Sequence, residues 1–460
     1  MPSKERNMNK KELLAEILRR AGISALNKMQ ESMLKTYGGG GNVVLLSPTG
    51  TGKTLAYLLP LVLDLMERAT AGKEESVEAA VQAVVLVPSR ELALQTGQVF
   101  KSLGTPLKAV SCYGGRPTME EHRTLKGVKP EVVIATPGRM NDHLQKGNIQ
   151  ADTVRVLVID EFDKCLELGF RDEMAKVIRQ LPKLRRRVLL SATDAEEIPS
   201  FASGGKNYSR LDFLDKTTEV QQRISLHVVH SPEKDKLQSL LRLLGSRGQE
   251  SFLVFVNYRE AVDRVGKFLK QEGVYCELFH GGMEQKDREK ALYKFVNGSC
   301  NVFVSTDLAA RGLDIPEIDN VVHYHLPVNE DGYTHRNGRT ARWEAEGNSY
   351  LILGPEETLP EYLNPSQVDE YPLPDTVEKP KAPKWITLYI GKGKKDKLSK
   401  TDILGFLCQK GGLTKDEVGR IDVKEHQSFV AVSRQRHREL LERISGEKIK
   451  GLKTIIQVTR

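Results

Sequence analysis

With 460 residues, 39% of them hydrophobic, the chain has material for two to four packed domains, which excludes a wholly disordered protein; its most apolar stretch, residues 58–66, is interrupted by Pro60 and Asp64 and is too short to cross a bilayer. The net charge of +8 sits at one end: residues 384–460 hold 18 Lys and Arg against 9 Asp and Glu, leaving 51 against 52 before them, a block that suits a polyanion or a solvated basic face. Five cysteines without a CxxC pair, and a charged N-terminus with no apolar signal core, point to reduced thiols and a cytoplasmic location.

Short apolar, β-branched runs recur at residues 42–47, 83–88, 132–136, 156–160 and 188–191, and again at 252–256, 275–280, 301–306, 320–325 and 349–353. Amphipathic stretches separate them. Near-continuous apolar strands of this kind belong to parallel sheets covered on both faces, so the two series predict two α/β domains. Polar residues without a period, around 213–222, divide the series. Seven prolines within residues 355–383 mark a second break, because proline supports neither helix interiors nor central strands. Beyond it the predicted order is strand 386–390, helix 401–409, strand 418–423, strand 428–432, helix 436–444 and strand 454–459. This βαββαβ order is the ferredoxin-like arrangement of RNA-recognition modules, and Ser399 with Asp402 is set to cap its first helix.

Ser47-Pro-Thr-Gly-Thr-Gly-Lys-Thr54 lies between a predicted strand and an amphipathic helix, the context of a phosphate-binding loop. There Gly50 and Gly52, with Thr49 and Thr51, let backbone N–H groups surround phosphate oxygens, Lys53 reaches the β and γ phosphates, and the Thr54 hydroxyl is a Mg²⁺ ligand. Ser47 stands where the first glycine is usual. Val156-Leu-Val-Ile-Asp160-Glu161-Phe162-Asp163 puts acids at the end of a buried strand, where α/β sheets bind ligands. Asp160 is placed to hold Mg²⁺ and Glu161 to orient or deprotonate the attacking water. Together the two motifs make an ATPase site.

At this point the chain resembles the DEAD-box RNA helicases over almost all of its length. Gln30, eight residues after Gly22, looks like the adenine-reading glutamine of their Q motif. Pro88-Ser-Arg-Glu-Leu-Ala93, Gly114-Gly115 and Thr136-Pro-Gly-Arg139 match RNA-backbone motifs, and Ser191-Ala-Thr193 matches the motif that couples hydrolysis to strand separation. Gln285 and Arg288, Ser305-Thr-Asp-Leu-Ala-Ala-Arg-Gly-Leu-Asp314 and His335-Arg-Asn-Gly-Arg-Thr-Ala-Arg342 follow in family order. The resemblance implies two tandem RecA-like domains, residues 1–215 and 216–372, joined by a linker at 373–384 to an RRM-like domain at 385–460. It implies ATP and Mg²⁺ as cofactors, with Asp314 on the ribose and Arg339 and Arg342 as arginine fingers. RNA contacts fall to Arg90, Gly115, Thr136, Arg139, Gln285, Arg288 and Thr306, and coupling to Asp163, Ser191, Thr193 and His335.

The chain departs from the family at Ile23, Leu26, Asn27, Phe162, Asn337 and Ala341, none of which removes a catalytic functional group. The aliphatic Ile23 replaces an aromatic, and Phe162 bears on the packing of the acidic motif against Ser191-Ala-Thr193. The last domain resembles that of the DbpA-type subgroup, which implies structured ribosomal RNA as partner and large-subunit assembly as process. In it Tyr389 and Phe429 occupy base-stacking positions, Phe429 reading equally well as core, while Lys392, Lys394, Lys395 and Lys397, with Lys448, Lys450 and Lys453, are the better RNA candidates. The expectation is a monomeric RNA helicase with no membrane partner and no metal beyond Mg²⁺. An ATP-gated RNA clamp or assembly scaffold without productive unwinding is the alternative; a DNA translocase is disfavoured by Gln30 and the terminal domain.

Overall fold

The computed structural model describes residues 9–459 except 49, 71–79, 116–117, 194–198, 204–207, 215–223, 311–314, 316–317, 341–345 and 377–378. Two compact units divide the chain, the second beginning at Gln222. In the first, strands β1 (Asn42–Leu46), β2 (Ala83–Leu86), β3 (Ala109–Cys112), β4 (Val132–Ala135), β5 (Val156–Ile159), β6 (Arg186–Ser191) and β7 (Tyr208–Asp212) form one parallel sheet in the order β3-β4-β2-β5-β6-β1-β7. Successive side chains enter opposite cores: Val43 and Leu45 join Tyr57, Leu61 and Val158, whereas Val44 and Leu46 join Leu86, Ile159 and Met174. Both faces are therefore dry. The pairing of Leu46 with Ser191 and of Ile159 with Leu189 sets the C-terminal ends of β1, β5 and β6 side by side. Everything that follows those three strands shares one rim of the sheet.

The second unit holds β8 (Ile224–His230), β9 (Phe252–Val256), β10 (Cys276–Phe279), β11 (Val302–Thr306), β12 (Asn320–His323), β13 (Gly347–Leu353) and β14 (Asp369–Glu370), again parallel, in the order β10-β11-β9-β12-β13-β8-β14. The proline-rich stretch after β13 is no loose tether. Leu359, Tyr362, Leu363 and Val368 pack against Leu226, Tyr333 and Leu351, and Tyr371 and Leu373 pack into the sheet core. Gln249 donates to Ala382 O at 3.4 Å and Arg434 to Pro383 O at 2.8 Å, so the expected linker is held at its far end too.

The same unit carries the C-terminal antiparallel sheet of β15 (Trp385–Ile390), β16 (Val418–Val423), β17 (Ser428–Ser433) and β18 (Ile456–Val458), ordered β16-β17-β15-β18. Helices Lys400–Gln409 and His437–Arg443 cover one face through Leu388, Ile403, Leu407, Val430 and Leu440, and Ser399 with Asp402 forms the expected capping box. The other face lies on the second RecA-like domain. Phe429, 2% exposed, stacks on Tyr293 with ring centroids 4.7 Å apart, and Tyr389 meets Phe429 edge-on at 5.8 Å. Thr387 joins Asn297 at 2.8 Å and Ser299 at 2.7 Å. Phe429 thus belongs to a docking face, because the polar and aromatic residues that open this sheet in an isolated module are matched here by helix Gln285–Val296 and the turn after it.

Candidate functional site

The phosphate loop leaves β1 and enters helix Lys53–Thr70. Gly50 and Gly52 have φ of 86° and 89°, a backbone that only glycine adopts freely. A Cβ on Gly52 would lie 2.6 Å from Gln30 Nε2, so this glycine also lets the Q-motif helix approach. Gln30 and Asn27 cap each other reciprocally at 3.0 and 2.9 Å, Gln30 Nε2 reaches Gly52 O at 3.4 Å, and Asn27 Nδ2 donates to Thr51 O at 3.0 Å. Asn27, a departure from the family pattern, is therefore an N-cap and a brace for the loop. Lys53 is buried and its ammonium donates to Ser47 O and Pro48 O; burial lowers its pKa, against the pull of Asp160, Glu161 and Asp163. Ser47 bonds Thr51 through their hydroxyls at 2.7 Å.

Asp160 directly follows β5, at 2% exposure. Burial, then the neighbouring Glu161 charge, pushes its pKa up to about 7, while Lys53 and the Glu161 N–H, 2.9 Å away, oppose the rise. Glu161 has φ 48°, a left-handed conformation rare outside glycine that costs roughly 1–3 kcal/mol and gathers at functional sites. This backbone turns the chain from β5 to helix Phe162–Glu167 within two residues. Asp163 then accepts from Ala192 N at 3.2 Å and Thr193 Oγ1 at 3.1 Å, and Ser191 Oγ donates to Thr193 O at 2.6 Å. Phe162 points into the core near Phe201, 6.4 Å between centroids, and leaves the Asp163–Thr193 contact intact. Lys53, Thr54, Asp160, Glu161, Asp163 and Thr193 all follow the adjacent ends of β1, β5 and β6. The donor set fits a nucleoside triphosphate and a hard divalent cation: backbone N–H groups at positive-φ glycines, one ammonium, one hydroxyl and carboxylate oxygens. Thr49, Asp314 and Arg342 lie outside the described residues.

Elsewhere in the first unit, Arg90 packs over Gly114 and Gly115; a Cβ on Gly115, φ 90°, would meet its guanidinium at 2.5 Å. Thr136 stands at the N-terminus of helix Pro137–Gln145, with no side-chain capping bond. Arg139 is 12% exposed and tied to Glu121 at 3.4 Å, Asp142 at 3.6 Å and the Thr118 hydroxyl. Glu121 also accepts from Tyr113 N at 2.9 Å and contacts His143 Nε2 at 2.9 Å, while Asn148 contacts His143 Nδ1 at 3.0 Å. Cys112, Glu121 and His143 have metal-ligand atoms within 4.8 Å of one another, but Glu121 and His143 are engaged in this network, which backs Arg139 from the interior.

In the second unit Gln285 opens helix Gln285–Val296, and Arg288 is buried with its guanidinium 4.5 Å from the Phe279 ring. Thr306 ends β11. His335 and Arg339 are 7% and 4% exposed around the end of helix Glu330–Asn337. Sequence reasoning missed the hub between them. Arg336, 1% exposed, bonds Asp307 twice at 2.6 and 2.7 Å, Asn257 at 2.8 Å and His325 O at 2.6 Å, joining the ends of β9, β11 and β12. Asp307 and Arg336 stand inside the 305–314 and 335–342 motifs; only burial, which a motif does not show, separates a clamp from a solvated helix face. In the last domain Lys392 pairs with Asp396 at 2.8 Å, Lys395 lies 3.3 Å from His426, and Lys450 pairs with Asp402 at 3.1 Å.

Two parallel-sheet RecA-like domains, one with a phosphate loop beside strand-end acids, define a nucleotide-dependent helicase core. Family profiles agree along the chain: DEAD/DEAH box helicase over residues 27–200, helicase conserved C-terminal domain over 235–344 and DbpA RNA binding domain over 387–458. The chain belongs to the DEAD-box family of ATP-dependent RNA helicases. It is 33% identical over 445 residues to the ATP-dependent RNA helicase DbpA of Escherichia coli strain K12, covering 94% of each chain, and 28% identical over 463 residues, again 94% of each, to DbpA of Bacillus subtilis strain 168. The solved structure of S. cerevisiae Dbp5 bound to RNA and ADP BeF3 matches 77% of this chain and 89% of its own at a TM-score of 0.64 and 27% identity. Among the described residues no helix is long and apolar enough to cross a membrane.

Proposed function

We propose that this helicase uses Mg²⁺-dependent ATP hydrolysis to remodel structured ribosomal RNA during large-subunit assembly, acting in the cytoplasm as a monomer. The observation that carries the reading is the constellation of buried Lys53 and Asp160 with Glu161, wired through Asp163 to Thr193, in a chain whose extra domain holds its whole positive surplus. In this reading Gln30 selects adenine, Lys53 and the loop N–H groups hold the phosphates, Thr54 and Asp160 hold Mg²⁺, and Glu161 orients the attacking water. Asp314, Arg339 and Arg342 act from the second RecA-like domain, whose cations meet the charge that develops on the transferring phosphoryl group. Arg90, Gly115, Thr136, Arg139, Gln285, Arg288 and Thr306 line the RNA backbone path, and Lys392, Lys394, Lys395 and Lys397 engage RNA outside it. Phosphate and 2′-OH contacts explain a core that does not read base sequence. An ATPase assay run beside strand displacement, with ribosomal RNA fragments, unrelated RNA and DNA, tests this. Stimulation and displacement are expected with the ribosomal fragments; hydrolysis without displacement identifies a clamp, and equal stimulation by DNA removes the RNA assignment.

A further inference from the structure

Helix Glu330–Asn337 has one hydrophobic residue, Tyr333, to hold it on the sheet, yet it presents the segment that ends in Arg339. Something polar must fix its far end. Asn337, 5% exposed, accepts from Ser349 Oγ at 2.8 Å and lies 3.1 Å from His323 Nε2; His323 and Ser349 are fully buried on the adjacent strands β12 and β13, with His323 Nε2 3.1 Å from Ser349 Oγ. The His323 ring stacks with Tyr333 at 5.5 Å and with Phe255 at 6.5 Å. Its second nitrogen, Nδ1, faces the Arg336 guanidinium at 3.5 Å. A cation on that side requires a lone pair, so the proton sits on Nε2 and faces Asn337 Oδ1 and Ser349 Oγ.

We propose that His323, Asn337 and Ser349 form a buried positioning relay that sets the helix end and the orientation of Arg336 and Arg339. The two substitutable members depend on each other. Asn337, a departure from the family pattern, is a buried amide whose oxygen accepts from Ser349 Oγ and takes His323 Nε2–H as its second donor; His323 in turn needs an acceptor on Nε2 while Nδ1 meets Arg336. The Asn337 turn continues directly into Arg339, with Arg339 N bonded to Arg336 O at 3.2 Å and Thr340 N to Asn337 O at 3.0 Å. A shift of the amide is therefore passed to the backbone that carries the finger. Neither His323 nor Asn337 needs to touch nucleotide.

The relay rests on reading Arg339 as a finger, and the experiment separates the two ideas. In the full-length protein, RNA-stimulated kcat and KM for ATP, RNA affinity and thermal melting are measured for His323→Leu, Asn337→Leu, the double variant, His323→Gln and Arg339→Ala. His323→Leu and Asn337→Leu are expected to lower kcat by about tenfold to a hundredfold, the range for a small misplacement of catalytic groups, with KM and RNA affinity within about twofold. The double variant is expected to be no worse than the poorer single, as for residues acting as one unit. His323→Gln, whose amide N–H can replace Nε2–H, is expected to recover most of kcat. Where the leucine variants fail to fold, the glutamine variant decides alone: a kcat as low as that of Arg339→Ala overturns the relay. Normal kcat in the single leucine variants, or losses that multiply in the double, also overturn it while leaving the finger intact. A normal kcat in Arg339→Ala overturns the finger and the relay with it.

Discussion

Glu161 and Asp160 are neighbours with the same functional group, yet their surroundings divide their tasks. Asp160 is sealed at the strand end, whereas Glu161 is lifted off the helix by its left-handed backbone. Glu161→Gln is expected to keep ATP and RNA binding and to lower kcat by at least about a hundredfold, the low end for a lost general base; single-turnover hydrolysis at wild-type rate would remove Glu161 from the mechanism. Gly52→Ala acts differently. A side chain at φ 89° is strained, and its Cβ collides with Gln30, so KM for ATP is expected to rise about tenfold or more, roughly 1.4 kcal/mol; isothermal titration with a non-hydrolysable nucleotide checks it. At His323, burial first and the Arg336 charge second push the pKa down to about 3, from an ordinary value near 6.5. The unfolded chain therefore takes up the proton first as the pH falls. Stability from this group is complete above pH ~6.5 and is lost on descending toward pH 3, by about 1 kcal/mol per unit. Melting of the second domain should drop between pH 7.5 and 5.5, and His323→Gln should shrink that drop; an unchanged drop means His323 is not held neutral.

At the scale of elements, the two apolar series were legible because strands buried on both faces have no polar alternation to confuse them, and Phe252–Val256 has the predicted limits. The strands that escaped lie at or next to sheet edges. β3 alternates buried and half-buried residues, and β7, Tyr-Ser-Arg-Leu-Asp, is largely open to solvent, so neither forms a continuous apolar run. The site motifs were legible because a phosphate loop is local in sequence. The Arg336 clamp and the His323 relay were not, since their partners come from strands up to 79 residues apart and burial decides their roles. Phe429 shows the same limit: its place in the RNA-recognition pattern could not reveal the helix that covers it. Tyr293→Ala is therefore expected to loosen the C-terminal domain without unfolding it, because Tyr293 stacks on Phe429 but lies outside that domain's own core. Hydrogen exchange should rise in β17 and around residues 285–299 while helix Lys400–Gln409 stays protected; exchange unchanged in β17 would show that the ring contact does not hold the joint.

For the whole molecule, the distribution of charge divides labour between a nearly neutral pair of RecA-like domains and a basic terminal domain. Because the aromatic face of that domain is buried against Tyr293, with Lys424 over the Tyr293 ring and Arg434 donating to Ser299 O, the proposed RNA contacts of the domain fall to cations around its rim. Those cations are not equivalent. Lys392 is partly neutralised by Asp396, whereas Lys397 is set by a left-handed backbone (φ 59°) just before helix Lys400–Gln409. Each lysine that meets a phosphate adds about −0.7 to the slope of log K against log salt on single strands and about −0.9 on B-form duplex DNA. Replacing Lys392, Lys394, Lys395 and Lys397 together by alanine should flatten the slope for ribosomal RNA, and Lys397→Ala alone should account for more of the change than Lys392→Ala. ATP hydrolysis on an unstructured RNA, which in the proposed function engages the RecA-like core, should remain near the starting rate. Binding isotherms at several salt concentrations read the first effect and steady-state ATPase the second. A slope unchanged in the fourfold variant would place RNA recognition on the RecA-like domains and leave the basic domain with a docking role alone.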